Sequence, residues 1–141
     1  MNRPMAAWLI VLALALSRML STAAEAKPET LARTAAEKWL ALVDAGKYDE
    51  SWAEMSAPFK NEVSKRKWKN TIGAVRKPLG NVSARKLKFA EYAKELPGAP
   101  EGEHVVVQFE TTFASKAGAT EKITLMLGQD LIWRVSSYAI K

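Results

Sequence analysis

Glu121 is the residue whose type and position first invite chemistry. It shares strand parity with Ile123, Leu125 and Leu127, the period of a strand with one buried face. That parity sends the carboxylate inward. A carboxylate goes inside only at a solvated mouth, in protonated form, or paired with a cation. Arg85 shares parity with Leu87 and Phe89 on an earlier strand, so it is the expected cation, through a bidentate pair. Two readings stay open. One is a rim salt bridge that closes the domain. The other is a pocket in which Glu121 and Arg85 hold the polar head of a small apolar ligand, with Trp133 and Phe113 behind them and Ser137 beside them.

The register behind this placement comes from two turns. A turn over 116–118 pairs Phe109 with Leu125 and Phe113 with Glu121. A turn over 128–130 pairs Leu125 with Trp133 and Glu121 with Ser137. The opposite parity gathers Val106, Met126, Ile132, Tyr138 and Ile140, an apolar outer face that suggests a homodimer. A slip of one residue would invert every assignment.

Other chemistry is sparse. His104 is the single histidine, at a strand start on the outward parity, where an exposed surface role is expected. The chain has no cysteine, which excludes thiolate metal sites, Cys nucleophiles and disulfides. No His or carboxylate cluster shows metal-ligand spacing, and no GxSxG, HExxH or phosphate-cradling glycine loop is present. No metal and no cofactor is therefore expected. Trp39, Trp52, Trp68 and Trp133 fall at helical or strand spacing and are read as core, with the lining of a ligand cavity as the alternative.

The elements that must position these residues divide the chain in half. Met1–Ala26 carries Arg3 and then an uncharged run, Ala6–Leu16. That run is shorter than the ~20 residues of a membrane-spanning helix and suits a signal peptide, cut after Ala26 or, at Thr22-Ala23-Ala24, after Ala24, with an uncleaved N-terminal anchor as the competing reading. Residues 27–141 then form one domain, exported to the periplasm or beyond and not membrane-spanning after cleavage. The first half of that domain reads helical. Thr30–Ala45 carries Leu31, Ala35, Trp39, Leu42 and Val43 on one side, with Thr30 as the N-cap. Gly46 ends it, and a short helix runs from about Tyr48 to Met55, with Pro58 as punctuation and the i, i+4 pair Phe59 and Val63 resuming helix to about Val63. Ser64 caps a third helix, Lys65–Arg76, with Trp68, Ile72 and Val75 as its buried positions. Trp39 and Trp52 are expected to fill the corner at Gly46. Four strands follow, the first of them bulged, over Val82–Tyr92, Val105–Phe113, Ile123–Leu127 and Trp133–Ala139. The fold class is α+β: about three N-terminal helices on one face of a four-stranded antiparallel curved sheet.

Charge is uneven along the chain, whose formal net charge is +6. Lys60–Lys94 holds 11 Lys/Arg against Glu62 and Glu91, while the flanks 27–59 and 95–141 each hold 4 basic and 6 acidic residues. The basic stretch is a candidate surface for an anionic partner. Nucleic acid is not expected, given an exported chain without aromatic stacking positions beside the lysines.

Several pieces together resemble a bacterial secreted family known as domain of unknown function 4019. They are Trp39-Leu40 through Asp44-Ala45-Gly46-Lys47-Tyr48, Ser51-Trp52, Trp68, and Arg76 with Pro78-Leu79-Gly80. They continue with Arg85, Leu96-Pro97-Gly98-Ala99-Pro100, Val105–Phe113, Glu121, and Trp133-Arg134-Val135 with Tyr138. The resemblance implies a cone-shaped fold similar to nuclear transport factor two and cystatin. It implies no reaction. Two functions are thus expected in order. The first is a non-enzymatic exported binding or accessory module for an unknown ligand. The second is a small cone-fold enzyme using an inward carboxylate, which lacks a visible titratable partner.

Overall fold

The computed structural model describes residues 26–141. The targeting segment expected over 1–26 lies, but for its last residue, outside them. Among the described residues no helix is long and apolar enough to cross a membrane. The chain runs through four helices and then four strands: α1 (Pro28–Asp44), α2 (Tyr48–Ala53), α3 (Ala57–Glu62), α4 (Lys65–Arg76), β1 (Val82–Ala93), β2 (His104–Phe113), β3 (Lys116–Leu127) and β4 (Trp133–Ile140). The sheet is an antiparallel meander in the order β1-β2-β3-β4. It is curved and unclosed, with α1 packed against all four strands.

Helix α1 begins two residues earlier than Thr30, at Pro28, a residue whose fixed φ and missing N–H suit the first helical turn. Its end is the Gly46 corner. Gly46 takes φ 72°, its N–H donates to Val43 O, and Lys47 N–H donates to Leu42 O at 2.9 Å. This paired closure satisfies the last carbonyls and requires the left-handed residue that glycine supplies without strain. It also fixes Asp44, the last helical residue, at the rim of the sheet.

The corner is filled as expected for Trp39, which is 3% exposed. Its indole N–H donates to Ser51 O at 3.0 Å, while the Trp68 indole donates to Ser51 Oγ at 3.0 Å. Fully buried Ser51 is therefore a polar hub between two tryptophans. Trp52 differs. It is half-buried, donates to Val63 O at 2.7 Å, and lies under the ammonium groups of Lys60 and Lys65. Pro58 does not end a helix. It sits in the first turn of α3, capped by Ser56, and α3 is the resumed helix expected up to about Val63, so the helices number four.

In α4 the stripe is Trp68, Ile72 and Arg76, each one turn from the last. Val75, expected inside, is 43% exposed, and Arg76 is 5% exposed in its stead. A cation is not read as core from sequence. It is buried here because a carboxylate meets it.

The strand register departs from expectation in two places. β2 and β3 join through Ala114-Ser115, not a turn over 116–118, so Phe109 faces Glu121 and Val105 faces Leu125. Contacts outside the hairpin hold this turn: Ala114 N–H donates to Asn81 O and Ser115 N–H to Leu79 O, both at 2.9 Å. The slide is four residues, an even number, so the inward parity survives. Between β3 and β4 it does not. Leu125 faces Val135 but Thr124 faces Ser137, leaving Ser136 as an extra residue on β4. This bulge inverts the rest of β4. Ser137 is exposed, while Tyr138 faces Ile123 on the concave side. The expected outer apolar face thereby loses Tyr138 and Ile140. The bulge expected in β1 is present, between Leu87 and Phe89.

Trp39→Ala should lower unfolding stability by about 3–5 kcal/mol, since a fully packed ring leaves a large cavity. The half-buried Trp52→Ala should cost less, about 1–3 kcal/mol. Urea unfolding checks both, and a loss under ~1 kcal/mol for Trp39 would contradict its place in the core.

Candidate functional site

Four charged side chains form one continuous chain at the β1–β3 rim. Arg76 Nη2 donates to Asp44 Oδ1 at 2.7 Å. Arg85 spans the next two carboxylates. Its Nη1 and Nη2 reach Asp44 at 2.7 and 3.0 Å, and its Nε and Nη2 reach Glu121 at 2.8 and 3.3 Å. The planar guanidinium fork allows this double bidentate contact, which an ammonium cannot make.

Each member is delivered by a different element. Asp44 comes from the α1 C-terminus, Arg76 from the α4 C-terminus, Arg85 from β1 and Glu121 from β3. Two hydroxyls complete the cluster. Thr111 on β2 donates to Glu121 Oε1, and Tyr138 on β4 donates to Oε2. All four strands thus converge on one carboxylate that is 0% exposed. Arg76 stacks over the Phe113 ring at 5.0 Å, which supplies a partial substitute for the partners its Nε and Nη1 lack.

The electrostatics follow from this geometry. Burial alone would raise the Asp44 carboxyl, but hydrogen bonds and charge from Arg85 and Arg76 outweigh it and hold the group below its ordinary value. For Arg85 burial works against the charge, and the bonds to Asp44 and Glu121 win, raising its affinity for the proton. Burial first, and then the Glu121 charge, push the Tyr138 phenol far up, so it remains a donor.

Glu121 has no acceptor capacity left. Each oxygen takes one Arg85 bond and one hydroxyl bond, which uses the roughly four lone-pair sites of a carboxylate. The five residues expected around a pocket therefore separate. Glu121 and Arg85 pair as expected, and Phe113 reaches the cluster through Arg76. Ser137 is exposed beyond the bulge. Trp133 faces Leu127, six positions along β3 from Glu121, or about 20 Å. Asp44, Arg76, Thr111 and Tyr138 were not foreseen. Each carried a signal: Asp44, Arg76 and Tyr138 stand among the residues of the family resemblance, Arg76 also continues the spacing of Trp68 and Ile72, and Thr111 shares strand parity with Phe109 and Phe113.

His104 also departs from expectation. It is 0% exposed and neither ring nitrogen has a hydrogen-bond partner. β2 is an interior strand, and His104 is flanked there by Ala93 and half-buried Met126. Among the described residues, no group of three His, Cys, Asp or Glu stands where it could hold a metal ion.

Trp133 belongs instead to an open groove of about 830 Å³ between α1, α2 and the β3–β4 turn. Trp39, Trp133 and Val135 form its floor, and Leu31, Leu131 and Ile132 line it with 48, 76 and 51% exposure. A smaller recess of about 390 Å³ lies on the other side of α2, where Tyr48 meets Gly73 and Lys77 of the α4 end. The basic stretch is mostly solvated around it. Of its eleven cations, Arg76 and Arg85 are taken into the ion cluster.

The model of the family described as "Protein of unknown function (DUF4019)" matches residues 35–138. The chain belongs to this family. The match spans Asp44, Arg76, Arg85, Thr111, Glu121 and Tyr138, so the whole ion cluster lies within the family domain. No curated protein and no solved structure matches the chain.

Glu121→Gln should destabilise the fold by about 3–5 kcal/mol, because it leaves Arg85 buried against a neutral group. Tyr138→Phe removes one donor and should cost about 1–2 kcal/mol with the fold retained. Equilibrium urea unfolding with circular dichroism checks both.

Asp44 sets an acid limb. Its folded value lies below the ordinary 3.8, so its contribution is present above about pH 4 and is lost as pH falls through the depressed value. Asp44→Asn should be less stable at pH 7, and its stability should fall less steeply between about pH 5 and 2 than that of the parent.

Proposed function

We propose that this protein is an exported, non-enzymatic binding module whose ligand site is the groove between α1 and the β3–β4 turn. Its curved sheet is then a cone of the kind found in nuclear transport factor two and cystatin. The observation that carries the reading is the contrast between two places. The buried carboxylate is saturated by four donors and has no free acceptor, and Tyr138, an inward titratable partner of the kind an acid–base enzyme would need, is held beside it as a donor by burial and by the Glu121 charge. The groove is open, of a volume within the ~300–1,000 Å³ usual for small-molecule sites, and floored by two tryptophans.

Exposed apolar residues gather there as well. Leu31 and Ile132 are each about half exposed, and Leu131 adopts φ 62°, a left-handed conformation rare for a residue with a Cβ. Strain and apolar exposure at one turn mark a surface kept for contact and not for stability.

Native mass spectrometry of protein recovered from an exported fraction tests the reading. The expected spectrum shows a chain beginning at Lys27 or Glu25 that carries a retained small molecule. Ile132→Asp should strip that molecule, while Tyr138→Phe should keep it. A bare chain that also fails to bind any apolar probe would overturn the proposal.

A further inference from the structure

His104 belongs neither to the ion cluster nor to the groove. Its side chain is 0% exposed, and among the described residues neither Nδ1 nor Nε2 has a hydrogen-bond partner. A buried polar ring without partners costs stability that an apolar side chain of similar volume would not. Such a group calls for a ligand or a specific use.

Strand pairing puts a second donor beside it. Met126 lies directly opposite His104 on β3. In the neighbouring pair, Leu127 N–H donates to Glu103 O at 3.0 Å. Hydrogen-bonded and non-hydrogen-bonded pairs alternate along an antiparallel ladder, so His104 and Met126 form the second kind, in which side chains stand closer. Both point to the convex face, opposite to the buried Val105 and Leu125 beside them. Cβ atoms of such a pair lie ~4.5–5.5 Å apart, which lets a ring nitrogen and a thioether sulfur reach one ion through bonds of ~2.0 and ~2.3 Å. Met126 is half-buried, so the pair is reached from solvent through the methionine, whose unbranched side chain adapts easily.

The donor set is selective. A thioether is a soft ligand, and together with an imidazole it suits monovalent copper, whereas carboxylates and water suit the hard cations. Among the described residues, no group of three His, Cys, Asp or Glu stands where it could close a site for zinc, which takes four ligands. The chain has no cysteine, and the other methionine of the described residues, Met55, is sealed in the core at 0% exposure. The imidazole and the accessible thioether of the described chain thus meet at one place.

We propose that His104 and Met126 form a two-coordinate site for a soft monovalent metal ion, Cu(I). One ring nitrogen binds on one side of the ion and Met126 Sδ on the other. The copper enters and stays as Cu(I), so no electron is transferred, and it supplies the partner that the buried ring lacks. The site shares no residue with the groove lining. It therefore goes beyond the binding-module reading, and its failure would leave that reading untouched.

The test titrates the purified protein with Cu(I) under inert gas against a chromophoric Cu(I) chelator. Ag(I), an ion of the same charge and softness that keeps its oxidation state, is the probe for nuclear magnetic resonance. The expected result is a single equivalent bound, with the His104 ring and Met126 methyl resonances shifted and the Met55 methyl unchanged. Met126→Leu conserves volume and fold. It should weaken binding at least ~10-fold, the loss that follows removal of even an outer-shell partner of a metal ligand. Met55→Leu should bind as the parent does, and Zn2+ should shift neither resonance. The resonances locate the ion in the parent chain, so the outcome does not depend on a variant of buried His104 folding. Cu(I) surrendered entirely to the chelator, an ion seated away from His104, undiminished affinity in Met126→Leu, or tighter Zn2+ binding at this pair would overturn the proposal.

Discussion

Arg85 lies between two carboxylates that belong to opposite layers of the domain, Asp44 from α1 and Glu121 from β3. Among the described residues, its pair with Asp44 is the only salt bridge that joins the helical layer to the sheet. Removing any one member leaves a desolvated charge behind, which is far more costly than never having buried the set. The cluster therefore acts through what its incomplete forms would cost. A register in which Glu121 missed Arg85, or a helix packing in which Asp44 missed it, would strand a charge in the interior. The ion chain so favours one arrangement of helices on sheet, a specificity that an all-apolar rim of equal volume would not supply.

The β4 bulge is the second constraint, and it serves the first. Without Ser136 as an extra residue, β4 would keep the parity of Trp133 and Val135 and present Ser137 to the concave side. With it, Tyr138 turns inward, donates to Glu121, and packs edge-on against Trp39 at 5.2 Å. One irregularity thus links the polar rim to the aromatic corner. Ser136 itself stays satisfied by donating to Thr124 O at 3.1 Å.

These two features divide the molecule. At the rim, every strand contributes to the cluster around Glu121, whose acceptor sites are filled. At the other end of β4, Ser56 N–H donates to Val135 O at 2.9 Å and covers part of the sheet edge, while the neighbouring turn remains apolar and open. Accessible apolar surface is concentrated where α1 and the β3–β4 turn diverge.

The chain's own sequence determined the order of helices and strands, the end of α1 at Gly46, the burial of Trp39, and the pairing of Arg85 with Glu121. Each follows from local chemistry: helical and strand periodicity, the left-handed preference of glycine, and the cost of an unpaired inward carboxylate. The tertiary structure alone decided the rest. The β2–β3 turn is placed by bonds to Leu79 and Asn81, far off in sequence, and nothing near residue 115 announces them. The bulge at Ser136 has no local signature, so Tyr138 and Ser137 exchange faces unseen. Arg76 and Asp44 are ordinary surface residues by type; Arg76 becomes interior and Asp44 becomes its partner at the rim only because two helix ends meet over the sheet. A carboxylate shows in sequence that it needs a cation. Which further groups complete its coordination depends on distances that only the assembled layers fix.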